Sequence, residues 1–151
     1  PCGDFVLDEA DTPLVLVTGG VGLTPAMAML ETVVGSGRPV HFLHAARNGA
    51  VHAFRERVDA LAAAHPNLQV RYVYDAPEPG DAPHATGLLS EALLAQWLPA
   101  TRDLELYCLG PQPFMQAVAR HAQRLGIAPQ RLHFEFFGPK QALLEAEDVA
   151  A

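Results

Sequence analysis

The stretch from position 14 to position 34 constrains the fold of this chain more than any other. Apolar residues 14–17 predict a buried strand, a glycine-containing turn follows, and an apolar pattern with helical spacing begins at once. Gly20 and Gly22 have no Cβ, so the backbone can turn sharply and an anion can approach its N–H groups. Pro25 suits a first helical turn, where free N–H donors and the positive end of the helix dipole favour a pyrophosphate. The alternative is a tight strand-to-helix turn that binds nothing.

Strand and helix patterns alternate along the rest of the chain. Predicted strands cover 13–18, 39–45, 68–74, 104–109 and 130–137. Predicted helices cover 24–34, 90–97 and 111–125, and a further helix starts at 48–49 and is ended by residues 65–67. This alternation predicts an α/β fold: a three-layer, doubly wound, five-stranded parallel sheet with helices on both faces. Segment 75–86 contains three prolines and a glycine and is predicted to be an irregular loop. In such a sheet ligands bind outside the carboxyl ends of the strands.

Composition narrows the class of protein. Ten basic against seventeen acidic residues give a net charge of −7, which argues against a nucleic-acid surface. No apolar run approaches the roughly 20 residues of a membrane span. Cys2 and Cys108 form no disulfide framework, so we expect a reducing, cytoplasmic location. The histidines suggest no metal site, because His41 and His44 lie three apart on a strand and therefore on opposite faces.

A second glycine turn follows the fourth predicted strand. Gly110 leaves room for a flat ring to approach the backbone, and Pro111 fixes the entry to a helix. The alternative is an ordinary turn of an α/β fold, with Phe114 and Met115 in the core. From the residues alone the two interpretations stay open.

Two charged residues follow predicted strands. The common dinucleotide fingerprint has an Asp or Glu at the end of the second strand, where it binds an adenosine ribose hydroxyl. This chain has no Asp or Glu there. Arg47 could face a 2′-phosphate or stack on adenine, or it could be a solvated surface arginine. Glu135 lies among phenylalanines at the end of the last strand, where it either faces water or lies near a flavin ring.

Together these strings resemble a known family. Residues 20–25, 110–115 and 135–139 are similar to the pyridine-nucleotide domain of ferredoxin reductase-type flavoenzymes. The string at 44–54 and the Phe-Phe-Gly-Pro ending resemble the C-terminal module of flavohemoproteins, the nitric oxide dioxygenases. That resemblance implies a globin carrying heme, a β-barrel carrying FAD, and this module holding NAD(P)H. Electrons would pass from NAD(P)H through FAD to heme, where bound oxygen converts nitric oxide to nitrate.

The resemblance also implies a domain division. The chain opens on proline, and residues 1–10 resemble the end of a linker from the FAD barrel, so we expect a module of a longer polypeptide. Residues 11–140 would be the NAD(P)H-binding domain, and 141–151 a polar tail that frays. The FAD-binding and globin modules would be its partners, and the isolated module is expected to be inactive because its flavin is elsewhere.

Roles for individual residues follow from the same resemblance. The pyrophosphate would be held by Gly19, Gly20, Val21, Gly22, Leu23 and Thr24. The nicotinamide would be bordered by Thr24 and Pro25, and its slot shaped by Gly110, Pro111, Phe114 and Met115. The flavin would be contacted by Phe136, Phe137, Gly138 and Pro139, with Phe137 as the stacking ring. Glu135 would tune the flavin and heme potentials by its charge. NADH is expected over NADPH, also because no basic cluster surrounds Arg47.

One position departs from the family pattern. The family usually has Cys directly before the Gly-Pro pair, whereas Leu109 stands there in this chain and Cys108 comes one residue earlier. Adjacent strand residues point to opposite faces, so we assign Cys108 no catalytic role. Two other functions remain open: the NAD-binding module of an oxygenase-coupled or ferredoxin-coupled reductase, and a nucleotide-sensing module without redox chemistry.

Overall fold

A computed structural model of the chain describes residues 12–19, 24–49, 55–81, 83–101 and 103–135, with the backbone alone for 24–26 and 135. The strands are β1 (Leu14–Gly19), β2 (Val40–Ala46), β3 (Leu68–Tyr74), β4 (Ala85–Thr86), β5 (Glu105–Leu109) and β6 (Leu132–Glu135). The helices are α1 (Thr24–Val34), α2 (Arg55–Ala64), α3 (Glu91–Trp97) and α4 (Gln112–Arg124). One turn of 3-10 helix, Pro129–Arg131, leads into β6.

The sheet has the order β4-β3-β2-β1-β5-β6, and every strand pair in it is parallel. The chain therefore winds outward from β1 on one side and then crosses back to build β5 and β6 on the other. Strand order reverses between β1 and β5, which makes their carboxyl ends the topological switch point where such sheets bind ligands. The prediction of a doubly wound parallel α/β sheet is confirmed.

Within the part of the chain that the structure describes, the sheet has six strands, one more than the predicted five. The additional strand, β4, lies inside the segment 75–86 that the prolines had suggested was irregular throughout. It is two residues long, begins after Pro83 and pairs with β3 at the edge of the sheet. The His84 N–H donates to the Tyr72 carbonyl (2.9 Å), and the Gly87 N–H donates to that of Tyr74 (2.8 Å). Because β4 lies at the sheet edge and starts beyond the last proline, no ladder bond is lost.

Two hydrophobic cores lie on opposite faces of the sheet. Successive residues of a strand alternate between faces, and both faces here are covered by helices, so all six residues of β1 are buried. The core beneath α1 and α2 includes Leu14, Leu16, Leu30, Phe42 and Val58. The core beneath α3 and α4 includes Val15, Val17, Leu94, Leu106 and Val118. These are the three layers that the sequence predicted.

Element boundaries follow local chemistry. The Ser90 hydroxyl accepts a hydrogen bond from the Leu93 N–H (3.2 Å), so Ser90 caps α3 as predicted. Pro111 is the cap residue of α4, which begins one residue later than predicted. The described part of α2 begins at Arg55, and residues 50–54, which follow its predicted start near 48–49, lie outside the described residues. Within the described ranges, no helix has the length and apolar character needed to cross a membrane.

Candidate functional site

The first glycine turn leaves β1 at the switch point. Gly19 is the last residue of β1, and α1 begins at Thr24. The first N–H groups of α1 therefore face the carboxyl edge of the sheet, as a bound anion requires. The rest of the predicted pyrophosphate turn, residues 20–23, lies outside the described residues, and so do the side chains of Thr24 and Pro25.

The second glycine turn lies directly beside the first. Thr18 is in register with Leu109, so Gly19 and Gly110 leave adjacent strands side by side. A Cβ on Gly110 would be 3.2 Å from the Gly19 carbonyl oxygen and 2.9 Å from the Phe114 ring. A Cβ on Gly19 would also meet the Phe114 ring at 2.9 Å. The two glycines are therefore adjacent at this edge of the sheet. The Phe114 ring leaves no room for a side chain at either position, and at Gly110 the Gly19 backbone is close as well.

The flat ring that lies beside Gly110 is the chain's own Phe114. This contact alone is sufficient to require the glycine, so a role toward nicotinamide remains a prediction. Phe114 is half-buried, and Met115 is buried in the core beneath α4. The alternative interpretation, in which Phe114 and Met115 lie in the core of an ordinary turn, therefore holds for Met115.

The last strand brings a third chain segment to the same edge. Glu135 ends β6 and is in register with Leu109, the residue before Gly110. The backbone of Glu135 thus lies one strand away from the second glycine turn. Residues 136–139, predicted to contact the flavin, lie outside the described residues.

Leu109 and Cys108 face opposite sides of the sheet, as predicted. Leu109 belongs to the core beneath α1 and α2, and Cys108 to the core beneath α3 and α4. Cys108 is fully buried, and this burial raises the pKa of its thiol. A thiol held protonated in an apolar core is a small hydrophobic side chain rather than a nucleophile.

A buried polar pair underlies the switch point. The Thr18 hydroxyl oxygen is 2.7 Å from His44 Nδ1, and neither side chain is exposed. The pair joins the ends of β1 and β2 on the face covered by α1 and α2, where His44 also stacks parallel to Phe42. Such hydrogen bonding is what allows two polar side chains to lie inside an apolar layer.

Arg47 follows β2, and its side chain is exposed. Its backbone carbonyl accepts a hydrogen bond from the Ala76 N–H (2.9 Å), so the segment after β3 holds the turn after β2. Asp81 strengthens this connection, because its Oδ2 accepts hydrogen bonds from the N–H groups of Gly49 (3.0 Å) and Glu78 (2.7 Å). Sequence reasoning missed Asp81, since nothing local indicates that it contacts a turn 32 residues away.

A second polar cluster lies at the opposite end of β5. The carboxylate of Glu105 accepts hydrogen bonds from Arg131 Nη1 (2.7 Å) and pairs with His133 Nε2 (2.7 Å). Arg131 also pairs with Asp103, and His133 stacks on Tyr107 at 4.5 Å between ring centroids. The cluster fastens β6 to β5 at the amino end of the sheet, away from the glycine turns.

Comparison with known proteins agrees with this geometry. Residues 16–120 match the oxidoreductase NAD-binding domain family. A flavohemoprotein of Burkholderia sp. (strain TH2) is 54% identical over 144 residues, which are 95% of this chain and 37% of the relative. The chain thus spans about a third of the length of such curated relatives.

Solved structures share the fold. The flavohem-like FAD/NAD-binding domain of nitric oxide dioxygenase from Vibrio cholerae superimposes with a TM-score of 0.79 at 31% identity, covering 91% of this chain and 56% of that one. Flavohemoglobin from Malassezia yamatoensis, with bound FAD and heme, gives 0.74 at 25% identity, covering 87% of this chain and 33% of that one. The chain therefore belongs to the oxidoreductase NAD-binding domain family and is similar over nearly its whole length to part of the flavohemoproteins.

Proposed function

We propose that this chain binds NADH and presents its hydride to the FAD of a flavohemoprotein that oxidises nitric oxide to nitrate. The observation that carries the proposal is the meeting of both glycine turns at the switch point of the sheet, Gly19 beside Gly110. The 54% sequence identity to a flavohemoprotein supports the family assignment. The name of the Vibrio cholerae relative supports the reaction.

In this proposal the dinucleotide lies across the carboxyl ends of the strands. The backbone of 19–24 binds the pyrophosphate, with the N–H groups of the α1 start as donors. Thr24 and Pro25 border the nicotinamide, whose slot is completed by the 110–115 turn. When bound, NADH would supply a hydride for the flavin of the neighbouring module, and this chain would contribute orientation and exclusion of water.

The flavin side of the site involves the end of β6. Residues 136–139 would lie against the flavin, with Phe137 as the stacking ring, and Glu135 would tune its potential by charge. Support for this comes from the backbone register of Glu135 with Leu109, next to the turn that would shape the nicotinamide slot. The FAD-binding and globin modules would belong to the same cytoplasmic polypeptide, since flavohemoprotein relatives are about three times as long as this chain.

The test is anaerobic addition of NADH to the intact flavohemoprotein while flavin absorbance is followed. We expect the flavin to bleach, and then nitric oxide to be consumed with formation of nitrate once oxygen is admitted. Gly22→Val should block bleaching while the circular dichroism spectrum is kept, because a branched side chain fills the anion's place. Gly35→Val is the matched control, since the nearest atom to a Cβ there is 3.8 Å away. Bleaching retained in Gly22→Val, or absent from the unaltered protein, would contradict the proposal.

A further inference from the structure

The segment between β3 and β4 folds onto the turn that follows β2. The Asp75 N–H donates to the Ala46 carbonyl (3.1 Å), and the Ala76 N–H donates to that of Arg47 (2.9 Å). These bonds bring the loop to the end of β2, the place where dinucleotide folds contact the adenosine ribose. The end of β2 has no carboxylate of its own at this place, and the loop adds its side chains there.

Asp81 is the side chain that this loop delivers. Both backbone N–H groups that it binds, those of Gly49 and Glu78, meet the same oxygen, Oδ2. They lower the pKa of Asp81, so its carboxylate is charged at neutral pH. The Asp81 main-chain carbonyl in turn accepts from Arg55 Nη1 (2.6 Å), which fixes the backbone behind the carboxylate.

The other oxygen of the Asp81 carboxylate, Oδ1, is not used by these two backbone donors. Oδ1 lies over Gly49, where a Cβ would approach it to 2.6 Å. Over the described ranges of the chain, no protein donor binds Oδ1 and no cation forms an ion pair with this carboxylate. The neighbouring Arg55 pairs with Asp59 (3.7 Å) and donates to the Tyr74 hydroxyl (2.9 Å), and its charge also helps to lower the pKa of Asp81.

We propose that Asp81 supplies, from the β3–β4 loop, the carboxylate that selects NADH over NADPH at the adenosine ribose. The inference rests on the proposed function and identifies its specificity-determining residue. A carboxylate accepts a hydrogen bond from a free ribose hydroxyl and repels a 2′-phosphate, so one group both attracts the first ligand and rejects the second. Arg47 is exposed at the same turn, where its positive charge would favour a 2′-phosphate. The negative charge of Asp81 would oppose that preference.

The experiment measures competition against NADH in the intact flavohemoprotein by ADP-ribose and by 2′-phospho-ADP-ribose. Asp81→Asn keeps an oxygen for the two backbone donors and removes only the charge. We expect the inhibition constant of ADP-ribose to rise about tenfold, as for a lost hydrogen bond to a charged group. The constant of 2′-phospho-ADP-ribose should fall.

Two variants complete the design. Glu78→Gln removes one negative charge from the same loop. Among the described residues its side chain makes no hydrogen bond to the turn, so the ratio of the two constants should be kept. Gly49→Ala adds a Cβ that displaces the Asp81 carboxylate without removing it. This variant should shift the ratio of the two constants in the same direction as Asp81→Asn. It replaces Asp81→Asn if that variant fails to fold.

The outcomes separate the two proposals. If the ratio is unchanged in Asp81→Asn, or both constants rise together, Asp81 only holds the turn and the inference is overturned while the proposed function survives. If neither ligand competes with NADH in the unaltered protein, both fall. Loss of discrimination between the two ligands in Asp81→Asn, with the ratio kept in Glu78→Gln, supports the inference.

Discussion

The Phe114 ring lies against the backbone of Gly19, so close that a Cβ on Gly19 would be 2.9 Å from three ring carbons. This contact links the helix after β5 to the end of β1. The same ring also covers Gly110, which approaches the Gly19 carbonyl as well. Two glycines far apart in sequence are therefore explained by one aromatic side chain and one close backbone approach.

This relationship predicts different behaviour for the two glycines. Gly19→Ala should destabilise the protein by about 1–3 kcal/mol through overpacking against the Phe114 ring. In a Phe114→Ala background that loss should largely disappear. Gly110→Ala should remain destabilising in the same background, because its Cβ also meets the Gly19 backbone at 3.2 Å. Urea unfolding of the four variants and their parents measures both coupling energies; equal rescue at both positions would contradict the account.

The anchoring of β6 can be tested at Glu105. Its carboxylate is nearly buried and contacts both Arg131 and His133. Glu105→Gln should lower the free energy of unfolding by about 1.5–3 kcal/mol, the range for hydrogen bonds to charged groups. Asp103→Asn is the matched control on the same arginine: with a side chain that is 63% exposed, it should change the free energy by less than about 1 kcal/mol. Equal effects of the two substitutions would show that burial of the Glu105 carboxylate is unimportant.

We predict that His84 makes the β3–β4 edge sensitive to acid. Its Nδ1 accepts a hydrogen bond from the Tyr72 N–H (3.0 Å), which requires a neutral ring. Burial, then the charges of Arg71 and Arg55, lower the pKa of His84 below its ordinary 6.5. Since the folded state disfavours the proton, the stabilisation is complete above pH 6.5 and is lost as the pH falls through the lowered pKa.

Nuclear magnetic resonance can follow this step. The amide signal of Tyr72 should shift with a midpoint below 6.5, the ordinary pKa of histidine. The Leu93 amide, which donates to the Ser90 hydroxyl, is the control and should not titrate over that range. A midpoint at or above the ordinary value, or a Tyr72 signal that does not move, would contradict the assignment.

Cys108 should be inert in the folded protein. Burial raises the pKa of its thiol, so almost no thiolate is available to an alkylating reagent. In a Cys2→Ser variant, the remaining thiol should react slowly under native conditions and rapidly once the protein is unfolded in guanidinium. Fast labelling of the native protein would instead show that the Cys108 thiol is accessible and ionised, which contradicts its burial.

Much of the fold could be predicted because strand and helix patterns alternate so regularly. Residues 68–74 were assigned to a strand with the bounds that the structure has, and 24–34 to a helix in the same way. The prediction that segment 75–86 is irregular throughout was wrong at its end. Prolines are excluded from interior strands, but a two-residue edge strand such as β4 can form after the last proline.

The candidate site was predictable only in part. Glycine turns carry a local signal, so Gly19 and Gly110 were found from the sequence. Their approach through Phe114, and the delivery of Asp81 to the β2 turn, depend on which strands become neighbours. That information is non-local, and a single sequence does not express it as a pattern.

The central claim is that a nicotinamide dinucleotide binds across the carboxyl ends of these strands. Hydrogen–deuterium exchange of the intact flavohemoprotein, with and without saturating NAD+, tests it most directly. We predict that NAD+ slows exchange in peptides covering 18–25, 44–49 and 109–116, and leaves the Glu105 end of the sheet unchanged. Unaltered exchange in those three segments, or protection confined to the opposite end of the sheet, would contradict the account.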